Sequence, residues 1–218
     1  FLFLTGSVAA LLIFQPSTTT AVIILAVSIV VYFISGARFK FIIAAGLVAL
    51  LGLSLIFIFG GHDNYRLTRI KTFLNPQSNE LSSGYQINQT LLSIGSGGIF
   101  GVGFGESKTK LNYLPEPLAD SIFAIIAEEL GFVGAIFLVV TFFLFVWRGL
   151  MIAKFSSDNF GKLLAIGFTS LIGLQAFINI GAVSGVIPLT GVPLPFISYG
   201  GTALAVFLTM CGIIVNIS

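Results

Sequence analysis

In 218 residues the chain is 56% hydrophobic and 8% charged, with a mean hydropathy of +1.08, whereas a soluble domain carries roughly a quarter charged residues. A formal charge of +2, with basic residues scattered among loops, excludes the electrostatic stripe that nucleic acid requires, and the lone Cys211 excludes an intrachain disulfide or a Cys-based metal cluster. What remains is an integral membrane protein, an all-α polytopic helix bundle.

A bilayer core takes about 20 mostly apolar residues per helix. In chain order such segments run over 1–14, 18–35, 41–60, 120–147, 162–183 and 201–218. The first begins inside an apolar run, with no basic region or small-residue cleavage site before it, so the expectation is a fragment lacking earlier helices rather than a signal peptide. Lys and Arg in short loops are retained in the cytoplasm. That rule places 36–40 and 148–162 inside, and it puts 15–20, 185–200 and the long polar stretch 61–119 together outside as one membrane domain with a large extracytoplasmic loop.

The long loop has order of its own. Within Gly84 to Ile94, Ile87, Leu91 and Ile94 fall at helical spacing with Gln86, Gln89 and Ser93 on another face, which predicts a short interfacial helix. The glycine-rich run Gly95 to Gly105 lacks the spacing and the strand–helix context of a dinucleotide-binding turn. It reads as a flexible turn whose Ile99, Phe100, Val102 and Phe104 dip into lipid. The last outer segment, Val186 to Gly201, holds Pro188, Pro193 and Pro195 and cannot continue a helix, so it predicts a fixed turn at the rim.

Asp120 stands where the long loop meets an apolar segment, so its carboxylate can stay charged while touching a lipid-borne substrate. Residue type and position serve equally for a helix N-cap. Glu128 and Glu129, inside the same apolar segment, must face protein, water or a partner. Glu128 lies about 12 Å along the helix from Asp120, too far to share a metal ion, and reads as structural. Arg66 and Arg69, three residues apart, either clamp phosphate or hold lipid headgroups. His62, with no second histidine, reads as solvated, and Tyr113 and Tyr199 read as interface anchors.

Several linked motifs occur in one order: Gly84-Tyr85-Gln86 with Gln89, Leu111-x-Tyr113-Leu114-Pro115-Glu116, Asp120-x-Ile122-Phe123-Ala124, Glu128-Glu129-Leu130-Gly131, and Pro193-Leu194-Pro195-Phe196-Ile197-Ser198-Tyr199-Gly200-Gly201. Together they resemble the SEDS family of FtsW, RodA and SpoVE, most closely a division-type FtsW, over nearly the whole chain. The resemblance implies a ten-helix membrane protein of which this chain covers the end of the fifth helix through the tenth. It implies a peptidoglycan glycosyltransferase of the bacterial cytoplasmic membrane, polymerising lipid II on the outer face beside a class B penicillin-binding protein. A flippase for lipid-linked precursor and a non-catalytic scaffold for the transpeptidase stand as alternatives.

By the same resemblance the family's essential loop aspartate falls on Asp120, which would accept the proton of the acceptor 4-hydroxyl or ligate a divalent cation, Mg or Mn. Arg66, Arg69 and Lys110 are the outer-face cations for the leaving pyrophosphate, and Gln86, Gln89, Glu116 and Ser198 are further substrate-binding candidates. Two departures stand out. The family's Gln-Pro-Asp-x-Gly-Thr turn is Gln15-Pro16-Ser17-Thr18-Thr19-Thr20, so its acidic residue and glycine are absent while Gln15, Pro16 and Thr20 remain, and its Ala-His-Thr before the aspartate is Pro117-Leu118-Ala119, which removes a polar pair.

Overall fold

A computed structural model describes residues 6–8, 11, 18–36, 65–74, 83–107 and 120–218. Among the described residues the long elements are all helical: α1 (Thr18–Ile34), α2 (Tyr65–Leu74), α3 (Ser83–Ser96), α4 (Ile122–Phe155), α5 (Asn159–Val183) and α6 (Gly201–Ile217). The expected segment at 41–60 and nearly all of 1–14 lie outside the described residues. Helices occur at the other four expected segments, α4 running beyond the predicted end at Trp147, through Arg148 and Lys154, to Phe155.

Among the described residues two helices, α4 and α5, are long and apolar enough to cross a membrane. Phe132, Val133, Ile136, Phe137, Val140, Phe143, Leu144 and Trp147 of α4 are all exposed, a surface that only lipid or other apolar segments can cover favourably. Among its described residues the long loop contains two helices, α2 and α3, where one was expected. The prediction found α3, whereas α2 went unread because its sequence, YRLTRIKTFL, lacks a long apolar stripe.

The described chain divides into two compact units, each with its own core. One takes in the described parts of Phe1–Asn64, Val146–Leu174 and Thr209–Ser218. There Ala153, Ala165 and Ile166 form the core, flanked by Val30, Val31 and Ile217, and Gly149 lets α4 approach Thr169 of α5. The other comprises the described parts of Tyr65–Phe145 and Gln175–Leu208 and is centred on Phe123, Ala124, Ala176, Val183 and Leu194.

The second unit contains a feature the sequence did not announce. Helix α4 is broken at Gly131, whose φ of 67° and ψ of −167° leave the helical region. A break at this depth orphans backbone groups, which cannot be left bare in a membrane. The glycine-rich turn after α3 takes them up: Val102 N and Gly103 N donate to Glu128 O and Glu129 O at 3.0 and 3.1 Å, and Phe132 N and Val133 N donate to Gly98 O and Ile99 O at 2.9 and 3.2 Å. The two backbones approach so closely that a Cβ on Gly131 would collide with Gly101 N, and one on Gly101 with Glu129 O. The glycines therefore serve close backbone docking, while Phe100 and Phe104, 83% and 87% exposed, point away from the unit as the turn reading expected.

Candidate functional site

The site lies wholly in the second unit and is built around the proline-rich loop before α6. Prolines deprive this loop of backbone donors, so its carbonyls need partners from elsewhere. Three side chains supply them: Arg69 Nη1 of α2 donates to Leu189 O at 3.0 Å, Asn179 Nδ2 of α5 to Val192 O at 2.7 Å, and Gln175 Nε2, one turn earlier on α5, to Pro193 O at 3.0 Å. The loop then closes on itself, Leu194 N donating to Ser198 Oγ at 2.7 Å and Ser198 N to Leu194 O at 3.0 Å. Phe196 is held at a φ of 66°, rare for a residue with a Cβ, and its ring packs between those of Phe145 and Phe207 at centroid distances of 6.0 and 5.5 Å.

Asp120 meets this loop from the α4 side. Its backbone carbonyl accepts a second bond from Asn179 Nδ2 at 2.8 Å. Its Oδ1 accepts from Ser121 Oγ at 3.4 Å, and that hydroxyl in turn accepts from Gln86 Nε2 of α3 at 3.3 Å. Because α4 starts at Ile122, Ser121 occupies the N-cap position and Asp120 stands one residue outside the helix. The capping role expected of Asp120 thus falls to the serine's position.

Gly191 joins the parts. It is exposed, its φ is +65°, and a Cβ built on it would lie 3.7 Å from Arg69 Nη2 and 3.8 Å from Asp120 Oδ2. A guanidinium and a carboxylate therefore both lie beside one exposed point on the loop, the slot at Gly191. It brings side-chain chemistry that suits anionic oxygen next to chemistry that suits a hydroxyl proton.

Of the residues singled out from sequence, Asp120, Arg69 and Gln86 are brought together here. Gln89 is half-buried one turn further along α3. Ser198 is engaged in the internal turn with Leu194, its Oγ accepting from Leu194 N. Arg66 lies on α2 with its side chain outside the described set, and Lys110 and Glu116 lie outside the described residues altogether. Glu128 is 3% exposed and accepts from Ser93 Oγ at 2.8 Å and Ser107 Oγ at 2.7 Å, the structural role its place in an apolar run predicts. The buried face of α3 is accordingly Ile87, Thr90 and Ser93, whereas Leu91 and Leu92 face outward.

Asn179 and Gln175 were missed. Their signal was present: two amides four residues apart in an otherwise apolar span must both face partners, but only the acidic residues of the spans were weighed. Among the described residues no group of three His, Cys, Asp or Glu side chains suited to hold a divalent cation occurs.

A helical membrane protein with a loop-borne carboxylate is the class these features define. The family described as Cell cycle protein, FtsW/RodA/SpoVE, matches residues 2–218, and the chain belongs to that family. It is 43% identical over 204 residues to the stage V sporulation protein E of Bacillus subtilis, covering 94% of this chain and 55% of that protein. It is also 43% identical over 208 residues to a probable peptidoglycan glycosyltransferase FtsW of Trichlorobacter lovleyi, covering 95% and 54%. Among solved structures, one described as the structural coordination of polymerization and crosslinking by a peptidoglycan synthase complex superposes with a TM-score of 0.76 at 29% identity, covering 98% of this chain and 59% of that one. A crystal structure of a mutant of the rod shape determining protein RodA from Thermus thermophilus gives 0.62 at 28% identity, covering 97% and 53%. The chain spans about half the length of the curated relatives it matches.

Proposed function

We propose that the protein containing this chain is a peptidoglycan glycosyltransferase that polymerises lipid II, with the slot at Gly191 as part of its reaction centre on the outer face of the cytoplasmic membrane. The observation that carries this reading is the meeting of Asp120 Oδ2 and Arg69 Nη2 at one exposed point. Similarity to the FtsW relatives and to a chain of the peptidoglycan synthase complex supports it.

In the reaction the 4-hydroxyl of the acceptor sugar attacks the anomeric carbon of the lipid-linked donor and inverts it. The carbon–oxygen bond to pyrophosphate breaks, and undecaprenyl pyrophosphate leaves with the bonding pair. A neutral hydroxyl is a weak nucleophile, so Asp120 takes its proton as the new bond forms. The transition state has oxocarbenium character, and negative charge grows on the departing pyrophosphate, which Arg69 stabilises. The exposed apolar faces hold the prenyl tails in lipid while the sugars reach the slot. A class B penicillin-binding protein alongside crosslinks the product.

The test is polymerisation of lipid II by the full-length protein with its transpeptidase partner in proteoliposomes. Asp120→Asn is expected to lower turnover by about 10²–10⁴-fold, the range of a general base, with folding intact. Polymer formed at the wild-type rate by this variant would sink the assignment, and movement of lipid II across the bilayer without polymer would favour a flippase instead.

A further inference from the structure

Asn179 lies in the apolar helix α5 and is 1% exposed. An amide nitrogen has two hydrogens, and here both are committed to backbone carbonyls, of Asp120 at 2.8 Å and of Val192 at 2.7 Å. Two acceptors facing one side of the amide settle which way it is turned. Its Oδ1 is left buried with no hydrogen-bond partner. A side chain kept only for packing would have no reason to carry an unmet buried acceptor, because an apolar residue of similar size avoids that penalty. The two donated bonds are what the arrangement secures.

Their location gives them meaning. Val192 adjoins Gly191, and Gly191 marks the point flanked by Asp120 Oδ2 and Arg69 Nη2. One short, buried amide bonded to both Asp120 O and Val192 O fixes the distance between the chain segment bearing the carboxylate and the loop that Arg69 also grips at Leu189. We infer that Asn179 is a positioning residue that holds Asp120 in place against the loop by tying the backbone of Asp120 to Val192. The inference rests on the reading of Asp120 as base. A base works only within about 2.6–3.2 Å of its proton, and a misplacement of about 1 Å costs on the order of 10²-fold in rate.

The test uses the full-length protein with its partner and lipid II, comparing wild type, Asn179→Asp, Asn179→Leu and Asp120→Asn. The aspartate keeps the shape but turns an oxygen toward carbonyls, and the leucine removes both donors. Both are expected to lower kcat by on the order of 10²-fold with KM for lipid II changed less than about twofold, and to displace the acid limb of the kcat–pH profile in the residual activity. Wild-type kcat in either variant, a loss carried by KM, or a loss that merely tracks the unfolded fraction with the acid limb unmoved would overturn the inference. Failure of both variants to fold would overturn it equally, by making Asn179 a determinant of the fold. A fully active Asp120→Asn would remove the base reading beneath it, a failure distinguishable from the others because it appears with Asn179 intact.

Discussion

Arg69 shows how one side chain can serve both loop and site. Its Nη1 holds Leu189 O while its Nη2 flanks the slot at Gly191, a division of labour that a planar fork permits and a point-charge ammonium does not. Arg69→Lys is therefore expected to lower kcat/KM for lipid II polymerisation by about 10-fold or more, read in a steady-state assay, since a hydrogen bond to a charged group contributes about 1.5–3 kcal/mol. Gly191 makes the complementary case. A methyl there meets no hard clash, but it stands between carboxylate and guanidinium, and a left-handed φ costs an L-residue roughly 1–2 kcal/mol. Gly191→Ala should lose turnover out of proportion to its shift in thermal midpoint, measured on the same preparation. Asp120 was legible in the sequence as an ionisable group at a membrane boundary. The role of Gly191 was not, because an absent side chain acquires meaning only from the atoms around it.

At the level of elements, the break in α4 and the turn after α3 form one device. Hydropathy describes Ile122–Phe155 as a continuous apolar helix, and no periodicity marks Gly131 as the point where it fails. The docked turn supplies four backbone bonds across the break, through Val102 N, Gly103 N, Gly98 O and Ile99 O. Gly131→Ala would drive a methyl into Gly101 N and demand a left-handed alanine, so a destabilisation of at least about 2 kcal/mol is expected in a detergent unfolding assay. Beside the break, Glu128 collects the hydroxyls of Ser93 and Ser107 in a buried site. Glu128→Ala is expected to cost about 1–3 kcal/mol for the buried polar contacts it removes, and Ser93→Ala, whose hydroxyl also reaches Ala124 O at 3.4 Å, about 1 kcal/mol, the ordering of the two being the informative result. Turn-plus-helix α3 was predicted correctly as an element. Its buried face was not, because that face is selected by a carboxylate on another helix rather than by its own leucines.

For the whole molecule, the proposed function requires a substrate shared between lipid and water, which the outward-facing apolar side chains of α4 suit. Shortening the prenyl tail of lipid II should then raise KM far more than it lowers kcat, since each buried methylene contributes about 0.8 kcal/mol to binding and nothing to the reacting centre. Kinetics with tail-length analogues in a fixed detergent would check this. The sequence by itself determined the solvent of the fold, helices at four of the expected segments, helix α3, the linked motifs of the family and the place of Asp120 at the edge of an apolar segment, because hydropathy, helical spacing and local order are properties of neighbouring residues. Only the tertiary structure decided that α4 breaks at Gly131 against the turn after α3, that Arg69 grips the loop at Leu189, and that Asn179 ties Asp120 to that loop at Val192. Those facts depend on contacts between residues from 13 to 120 positions apart, where no local pattern carries the information.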